Sequence, residues 1–232
     1  MTALLLSALV VTGCGTATKS TSNALPRPTP TTRAPSPSAP ATASSTGAAS
    51  PSSSRVQVVK VEKYGISYEL PKGWITIDAK KVLEGGGKNP VMDDLVHRLG
   101  IPRDQLVRQF SSVVQTMSVS DGGAVDGFLA NVNSVGQEGD VNDEQLKLQL
   151  ATIGAKASEP EHETTDAGNV TRVAYFLATK VGITIHAVVL AVHTRTATVA
   201  VTVAAITAQK AAELADTIEA SLKPIPGSGP NL

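Results

Sequence analysis

The last third of this chain alternates apolar and polar residues in a way that predicts a β-sheet. Three runs rich in β-branched residues, 169–179, 182–193 and 197–206, are separated by short turns near Lys180 and Thr194. Consecutive strands joined by short turns pair as an antiparallel meander. The pattern therefore predicts three neighbouring antiparallel strands.

A helix is predicted directly after this meander, over 207–222. The segment is rich in Ala, and Pro224 marks its end. One helical face collects the apolar residues Ala211, Leu214, Ala215, Ile218 and Leu222. Strands followed by helices that cover their faces indicate an α+β sandwich, with an antiparallel sheet flanked by helices.

The segment 56–78 predicts two short strands and the start of a third. Alternate positions of the second strand carry the large apolar side chains of Ile66, Tyr68 and Leu70. Residues 71–73, Pro-Lys-Gly, predict a turn, because Pro presets φ and Gly accepts positive φ. Trp74 follows the turn, and we expect it to fold back over the sheet and be buried.

Two helices are predicted next. Asn89 is a favourable N-cap and Pro90 a favourable first residue, so a helix should run from there to Leu99 and stop at Gly100. Pro102 opens a second helix. Its apolar residues at helical spacing are Leu106, Val107, Phe110, Val113 and Val114.

A strand over 124–135 and a third helix beginning at Asn142 complete the predicted elements. Asp143 and Glu144 lie in the first turn of that helix, where acidic side chains interact favourably with the helix dipole. Its apolar residues are Leu146, Leu150 and Ile153.

The strands at 183–192 and 196–206 are apolar on both faces over several positions. Such strands are typical of the centre of a sheet that is covered on both sides. A second interpretation is that small side chains leave room for an acyl chain, as in mostly apolar ligand sites. The small residues in question are Ala187, Ala191, Ala200 and Ala204.

The N-terminus carries a short apolar run that ends at the chain's single cysteine. The nine residues 3–11 are too few for a membrane-spanning helix, which needs roughly 20. Residues 11–14, Val-Thr-Gly-Cys, resemble a bacterial lipobox. The resemblance implies cleavage before Cys14 and lipidation of its thiol, which would anchor the protein to the outer face of the cell membrane.

Two segments at the N-terminus follow from composition. Residues 1–13 are interpreted as the signal peptide, and since no basic residue precedes the apolar run, we expect the natural start to lie upstream of Met1. Residues 14–54 are the lipidated Cys and a linker in which 35 of the 40 residues 15–54 are Ser, Thr, Ala, Pro or Gly. Such a linker is expected to be disordered. It would reach roughly 35 Å as a coil and about 120 Å when extended.

The charge and aromatic content of the remaining chain exclude several function classes. The linker holds three of the 20 basic residues and none of the 20 acidic ones, so the domain has a slight excess of acid. Nucleic-acid binding usually requires a basic stripe with stacking aromatics, and the domain has neither. Because Cys14 is the only cysteine, the mature domain uses neither a disulfide nor a Cys-ligated metal.

No motif for catalysis, a cofactor or a metal is complete. The segment 84–89, Glu-Gly-Gly-Gly-Lys-Asn, lacks the first Gly and the Ser or Thr of a phosphate-binding loop. His162 is followed by Glu but has Asp166 where a zinc-protease helix needs its second His, so 159–166 is interpreted as a solvated acidic turn.

The remaining histidines also lack partners in the sequence. His186 and His193 are seven residues apart, and alternation puts them on opposite faces of one strand. His97 is interpreted as a polar position on an amphipathic helix. We therefore expect no catalytic, cofactor-binding or metal-binding residues, and no enzyme activity.

Element order and the motif Tyr-Glu-Leu-Pro-Lys-Gly-Trp at 68–74 resemble the PsbP-like fold. A lipobox and linker before such a domain are similar to mycobacterial lipoproteins of the LpqN/LpqT type. The resemblance assigns 55–225 to a PsbP-like domain and leaves 226–232 as a tail. It implies a surface-anchored, noncatalytic role in binding a protein or lipid partner in the cell envelope. The alternatives are an envelope hydrolase and an acyl-lipid carrier.

Overall fold

The computed structural model describes residues 56–85, 90–99, 102–110, 114–179, 182–195 and 197–226. Cys14, the linker and Asn89 lie outside these ranges. The helices are α1 Ala79–Glu84, α2 Pro90–Leu99, α3 Arg103–Phe110, α4 Asp143–Thr152 and α5 Ala208–Ser221. The strands are β1 Val56–Val61, β2 Ile66–Pro71, β3 Ile75–Asp78, β4 Val114–Val119, β5 Asn131–Glu138, β6 Lys156–Ala157, β7 Glu161–Thr165, β8 Gly168–Ala178, β9 Thr184–His193, β10 Ala197–Ala205 and β11 Lys223–Pro224.

The strands form two antiparallel sheets. The large sheet has the order β3-β4-β5-β10-β9-β8-β6, with β7 pairing along another part of β8. The small sheet has the order β1-β2-β11. The predicted meander is confirmed as β8, β9 and β10, and the predicted α+β class, an antiparallel sheet flanked by helices, is confirmed as well.

The large sheet is covered on both faces. One face, the α5 face, packs against the small sheet and α5 through apolar residues such as Leu190 and Val201. The opposite face, the α4 face, packs against residues of α1, α2 and α4, including Val82, Met92 and Leu150. This confirms the prediction that two central strands, now β9 and β10, are covered on both faces. None of the helices in the described ranges is long and apolar enough to span a membrane.

The predicted alternation in β2 is confirmed, since Ile66, Tyr68 and Leu70 are buried. The Tyr68 hydroxyl lies 3.0 Å from the Ser134 hydroxyl and joins the small sheet to the large one. After the turn, Trp74 is 7% exposed, which confirms its burial.

Gly73 in this turn meets two requirements. Its φ is +98°, where a side chain is strained. A Cβ atom there would lie 2.3 Å from a carboxylate oxygen of Asp121. The first requirement is the strict one, because the exposed Asp121 side chain can move away from an added Cβ atom, whereas the positive φ belongs to the turn itself.

The α4 and α5 predictions are confirmed with their caps. The Asn142 side chain accepts a hydrogen bond from the Gln145 backbone at 2.9 Å, and the Gln145 side chain accepts one from Asn142 N. This reciprocal pair is a capping box, which satisfies two otherwise unpaired N–H groups. Thr207 caps α5, whose buried residues are Ala211, Leu214, Ala215 and Ile218.

The helix opened by Pro102 is shorter than predicted. It ends at Phe110, and Val114 begins strand β4 instead of continuing the helix. Val113 lies outside the described residues. Val114 and residues 116–119 of β4 pair with β5 or β3, with a shift of register between Val114 and Thr116, and β-branched Val favours the strand.

The strand predicted over 124–135 is also wrong in its first half. Residues 124–130 form a turn in which Asp126 and Gly127 have φ of +50° and +77°. Val125 pairs with Phe128 across it. Asp-Gly is a strong turn signal that the apolar neighbours obscured, and the strand begins only at Asn131.

The acidic segment 159–166 contains a strand rather than only a turn. Strand β7 pairs with the start of β8, and His162 faces Thr171 across the pair. The prediction of solvation holds, because four of its five residues are exposed. Acidic side chains on such an edge discourage pairing with another chain.

Candidate functional site

An open cleft of about 1010 Å³ lies at one end of the large sheet. Its walls come from the connection between β5 and α4, the first turn of α4, the hairpin of β7 and β8, and the turn between β9 and β10. Polar lining residues include Asp140, Asp143, His162, Thr171, His193 and Arg195.

Five of these side chains form one chain of contacts, which we call the two-histidine chain. His193 Nδ1 lies 2.6 Å from Asp140 Oδ1, and His193 Nε2 lies 3.1 Å from Thr171 Oγ1. The same hydroxyl lies 3.4 Å from His162 Nδ1. His162 Nε2 lies 3.1 Å from Asp143 Oδ2. Two imidazoles therefore converge on one hydroxyl, and each is backed by a carboxylate.

Strand register explains how these residues meet. His162 on β7 is directly opposite Thr171 on β8. His193 on β9 is opposite Asn169, two residues before Thr171 on β8, so the two side chains are diagonal neighbours on one face. Asp143 comes from the capped start of α4, just beyond Asp140 in the preceding connection.

The chemistry of the two-histidine chain sets the donor and acceptor roles of its members. A carboxylate only accepts, so the ring nitrogen that faces Asp140 or Asp143 donates. The Thr171 hydroxyl has a single hydrogen, so it can donate to only one of the two imidazoles.

The order Asp140–His193–Thr171 has the roles of a hydrolase triad, in which an acid orients a His that activates a hydroxyl. Thr171, however, is only 3% exposed, lies within β8, and is also in contact with His162. A nucleophile has to reach the substrate's carbonyl carbon. The buried hydroxyl favours binding in this cleft over nucleophilic catalysis.

A second cleft lies beside β7 and α5, and five of its ten lining residues are acidic. Arg172 organises it. Its guanidinium lies 2.7 Å from Asp216 and 2.6 Å from Glu219. Burial lowers the pKa of Arg172, but the hydrogen bonds and charges of Asp216 and Glu219 outweigh it and raise that pKa overall. This cluster ties β8 to α5, and its structural role needs no ligand.

The α4 face of the sheet carries a third feature, inside the domain. Asn131 Oδ1, Asn133 Nδ2 and the Tyr175 hydroxyl are buried without a hydrogen-bond partner. Burial raises the pKa of Tyr175. The same face carries the four small residues of the sequence prediction, Ala187, Ala191, Ala200 and Ala204, all at most 2% exposed. Polar atoms without partners are costly in such a core.

The predicted site residues fall in three places. Cys14 lies outside the described residues. His97 is exposed on α2, as expected. His186 and His193 lie on opposite faces of β9, also as expected: His186 is beside Phe176, and His193 is in the cleft.

The pairing of His193 with His162 was missed. A turn over 159–166, as the sequence predicts, contains no β7, and without that strand nothing brings His162 to Thr171. The Asp-Ala-Gly turn at 166–168 is the signal that would have indicated a hairpin and its register.

No family model and no curated protein sequence matches this chain. Its structure is similar to the solution structure of the PsbP protein of the cyanobacterium Synechocystis, with 13% identity and a TM-score of 0.47, over 78% of this chain and 98% of that one. It is also similar to LpqN of Mycobacterium tuberculosis, described as involved in cell envelope biogenesis. That match has 10% identity and a TM-score of 0.44, over 69% of this chain and 83% of that one. One of these proteins is a PsbP protein and the other is an LpqN protein, the two kinds of protein that the sequence resembles.

Proposed function

We propose that this chain is a noncatalytic binding protein of the cell envelope, held on the outer face of the membrane by lipid at Cys14. The domain binds its partner through the cleft that contains the two-histidine chain. The buried state of Thr171, the hydroxyl at the centre of that cleft, is the observation that carries the binding role.

The sequence of the N-terminus supports the anchor. A short apolar run, the lipobox-like residues 11–14 and a Pro-rich linker are the parts a tethered envelope protein needs. Two or three acyl chains give stable membrane attachment where one is marginal. The linker would hold the domain tens of ångströms from the membrane.

The anchor is tested by expressing the protein in a bacterial host from its upstream start and measuring the mass of the mature N-terminus. We expect cleavage before Cys14 and added acyl mass. Cys14→Ala should leave the membrane fraction. An uncut, unacylated N-terminus contradicts the anchor.

The binding role is tested by screening the purified chain against generic esters, phosphates and glycosides. We expect no turnover above the uncatalysed rate. Turnover that is lost in His193→Ala but kept in His186→Ala, a histidine on the opposite face of β9, would establish the envelope hydrolase instead.

An acyl-lipid carrier is the second candidate, favoured by the buried polar atoms without hydrogen-bond partners on the α4 face. An amphiphile with its chain against the alanines could satisfy Asn131, Asn133 and Tyr175 through a polar group. Native mass spectrometry of protein from its own host should then show a copurifying lipid. Asn133→Leu should lose it, whereas the exposed Asn169→Leu should keep it. A ligand-free mass in the parent rejects the carrier.

A further inference from the structure

We propose that His162 and His193 form a binding site for a divalent transition metal of the Cu²⁺, Ni²⁺ or Zn²⁺ type, with Thr171 Oγ1 beside it. The proposal goes beyond the proposed function, because binding at this pair depends neither on the lipid anchor nor on the absence of turnover.

The convergence of the two imidazoles is the first reason. His193 Nε2 and His162 Nδ1 point at the same hydroxyl from 3.1 and 3.4 Å. The hydroxyl has one hydrogen and can satisfy the lone pair of only one of these nitrogens, whereas a cation can be bound by both. A metal ion beside the hydroxyl would be bound by each of the two nitrogens at about 2.0–2.1 Å.

The far side of each ring is the second reason. Histidines that bind metals usually donate their other N–H to a carboxylate, which fixes the tautomer and strengthens the ligand. His193 has Asp140 in that position at 2.6 Å, and His162 has Asp143 at 3.1 Å. The two histidines therefore carry the outer support of metal ligands, and they obtain it from two different segments.

The charge and ligand type of the cleft indicate the class of ion. Asp140, Asp143 and Glu144 outweigh Arg195 and favour a cation. Imidazole ligands select Cu²⁺, Ni²⁺ and Zn²⁺ over Mg²⁺ and Ca²⁺, which prefer oxygen. Within the described ranges no group of three or more His, Cys, Asp or Glu converges. The ion would thus keep open positions for a ligand from a partner.

The test is a titration of the full-length chain with Cu²⁺ and with Ni²⁺, using Cys14→Ser in every sample so that the thiol does not compete. We expect one equivalent to bind, and the Cu²⁺ electron paramagnetic resonance spectrum to show two imidazole nitrogens. Loss of outer support typically weakens such sites 10–100-fold. His162→Ala and His193→Ala should weaken binding at least as much, and each should leave one nitrogen in the spectrum.

His186→Ala and His97→Ala are the matched controls and should keep the parent affinity. The His162 side chain is 63% exposed, so His162→Ala should fold even if His193→Ala does not, and thermal melting checks both. Asp140→Asn should weaken binding about tenfold while retaining both nitrogens, as a positioning residue does. Parent-like affinity in both histidine variants, or no stoichiometric Cu²⁺ in the parent, overturns the site. Turnover in the substrate screen would contradict the noncatalytic role but not this one.

Discussion

The two faces of the large sheet bury different types of side chain on strands β9 and β10. On the α5 face, neighbouring strands present branched apolar side chains, Val188, Leu190, Val199, Val201 and Val203 among them. On the α4 face, the same two strands present four alanines and Thr202 beside Ile185 and Val189, next to buried asparagines of β5. Large branched side chains bury more apolar area, and so stabilise the fold more, than small or polar side chains do.

This difference separates stability from function within one sheet. The α5 face joins the large sheet to the small sheet and α5, and along β9 and β10 it buries larger apolar side chains than the α4 face does. The α4 face retains polar groups that reduce stability, and at its edge lies the cleft with the two-histidine chain. Groups that lower the free energy of unfolding and are not compensated by a partner in the protein are expected at binding sites.

Trp74→Ala tests the α5 face with the largest expected effect. Trp74 is 7% exposed and packs with the residues of that face. Removing a buried Trp side chain typically costs about 3–5 kcal/mol. The free energy of unfolding, measured by urea denaturation, should fall by that amount, and the exposed core should bind a hydrophobic dye.

Val58→Ala is the control, because Val58 is 59% exposed and should change stability little. A Trp74→Ala variant that melts like the parent but loses a binding partner would move Trp74 from the core to the binding surface.

Gly136→Ala should have the next largest effect. A Cβ atom at Gly136 would lie 1.8 Å from the Tyr64 ring, so the ring has to move. Overpacking of this kind costs about 1–3 kcal/mol. The double variant Tyr64→Ala with Gly136→Ala, compared with Tyr64→Ala alone, isolates the clash. If alanine at 136 is equally costly with and without the ring, the contact does not explain the loss.

Asn142→Ala tests the element that forms one wall of the cleft. Removing an N-cap of this type costs about 1 kcal/mol, because an N–H of α4 loses its acceptor. Thermal melting should report that loss. Asn169→Ala, an exposed asparagine of the same cleft, is the control; an equal loss there would mean that the cap is not the cause.

The parts of the fold that were predictable are those whose own sequence carries the signal. Alternating apolar and polar residues predict β2, and a capping residue followed by an apolar stripe predicts α4 and α5. Strand β7 gave no such signal, because four of its five residues are exposed and nothing alternates. Val113 and Val114 continue a helical spacing and therefore predict helix, but pairing with β5 makes Val114 part of a strand.

The two-histidine chain could not be predicted for the same reason. His162 and His193 are 31 positions apart and come together only through β8, which pairs with β7 on one side and β9 on the other. Sequence alternation correctly separated His193 from His186. It cannot show which residue of a neighbouring strand lies opposite, because that depends on register.

The smallest effect, and the sharpest test of the comparison between the faces, is expected for Asn133→Leu. Asn133 Nδ2 is buried on the α4 face without a partner, and leucine has a similar volume. Replacing an unsatisfied buried polar group by an apolar one of the same shape is nearly neutral or stabilising. Urea denaturation of ligand-free protein should therefore show a change between zero and about 1 kcal/mol in favour of the variant. Ser134→Ala, at the next position but on the α5 face, removes the partner of the Tyr68 hydroxyl and should destabilise by about 1 kcal/mol. If Asn133→Leu is the more damaging of the two, the polar groups of the α4 face contribute to folding, and the division between a stabilising and a functional face is wrong.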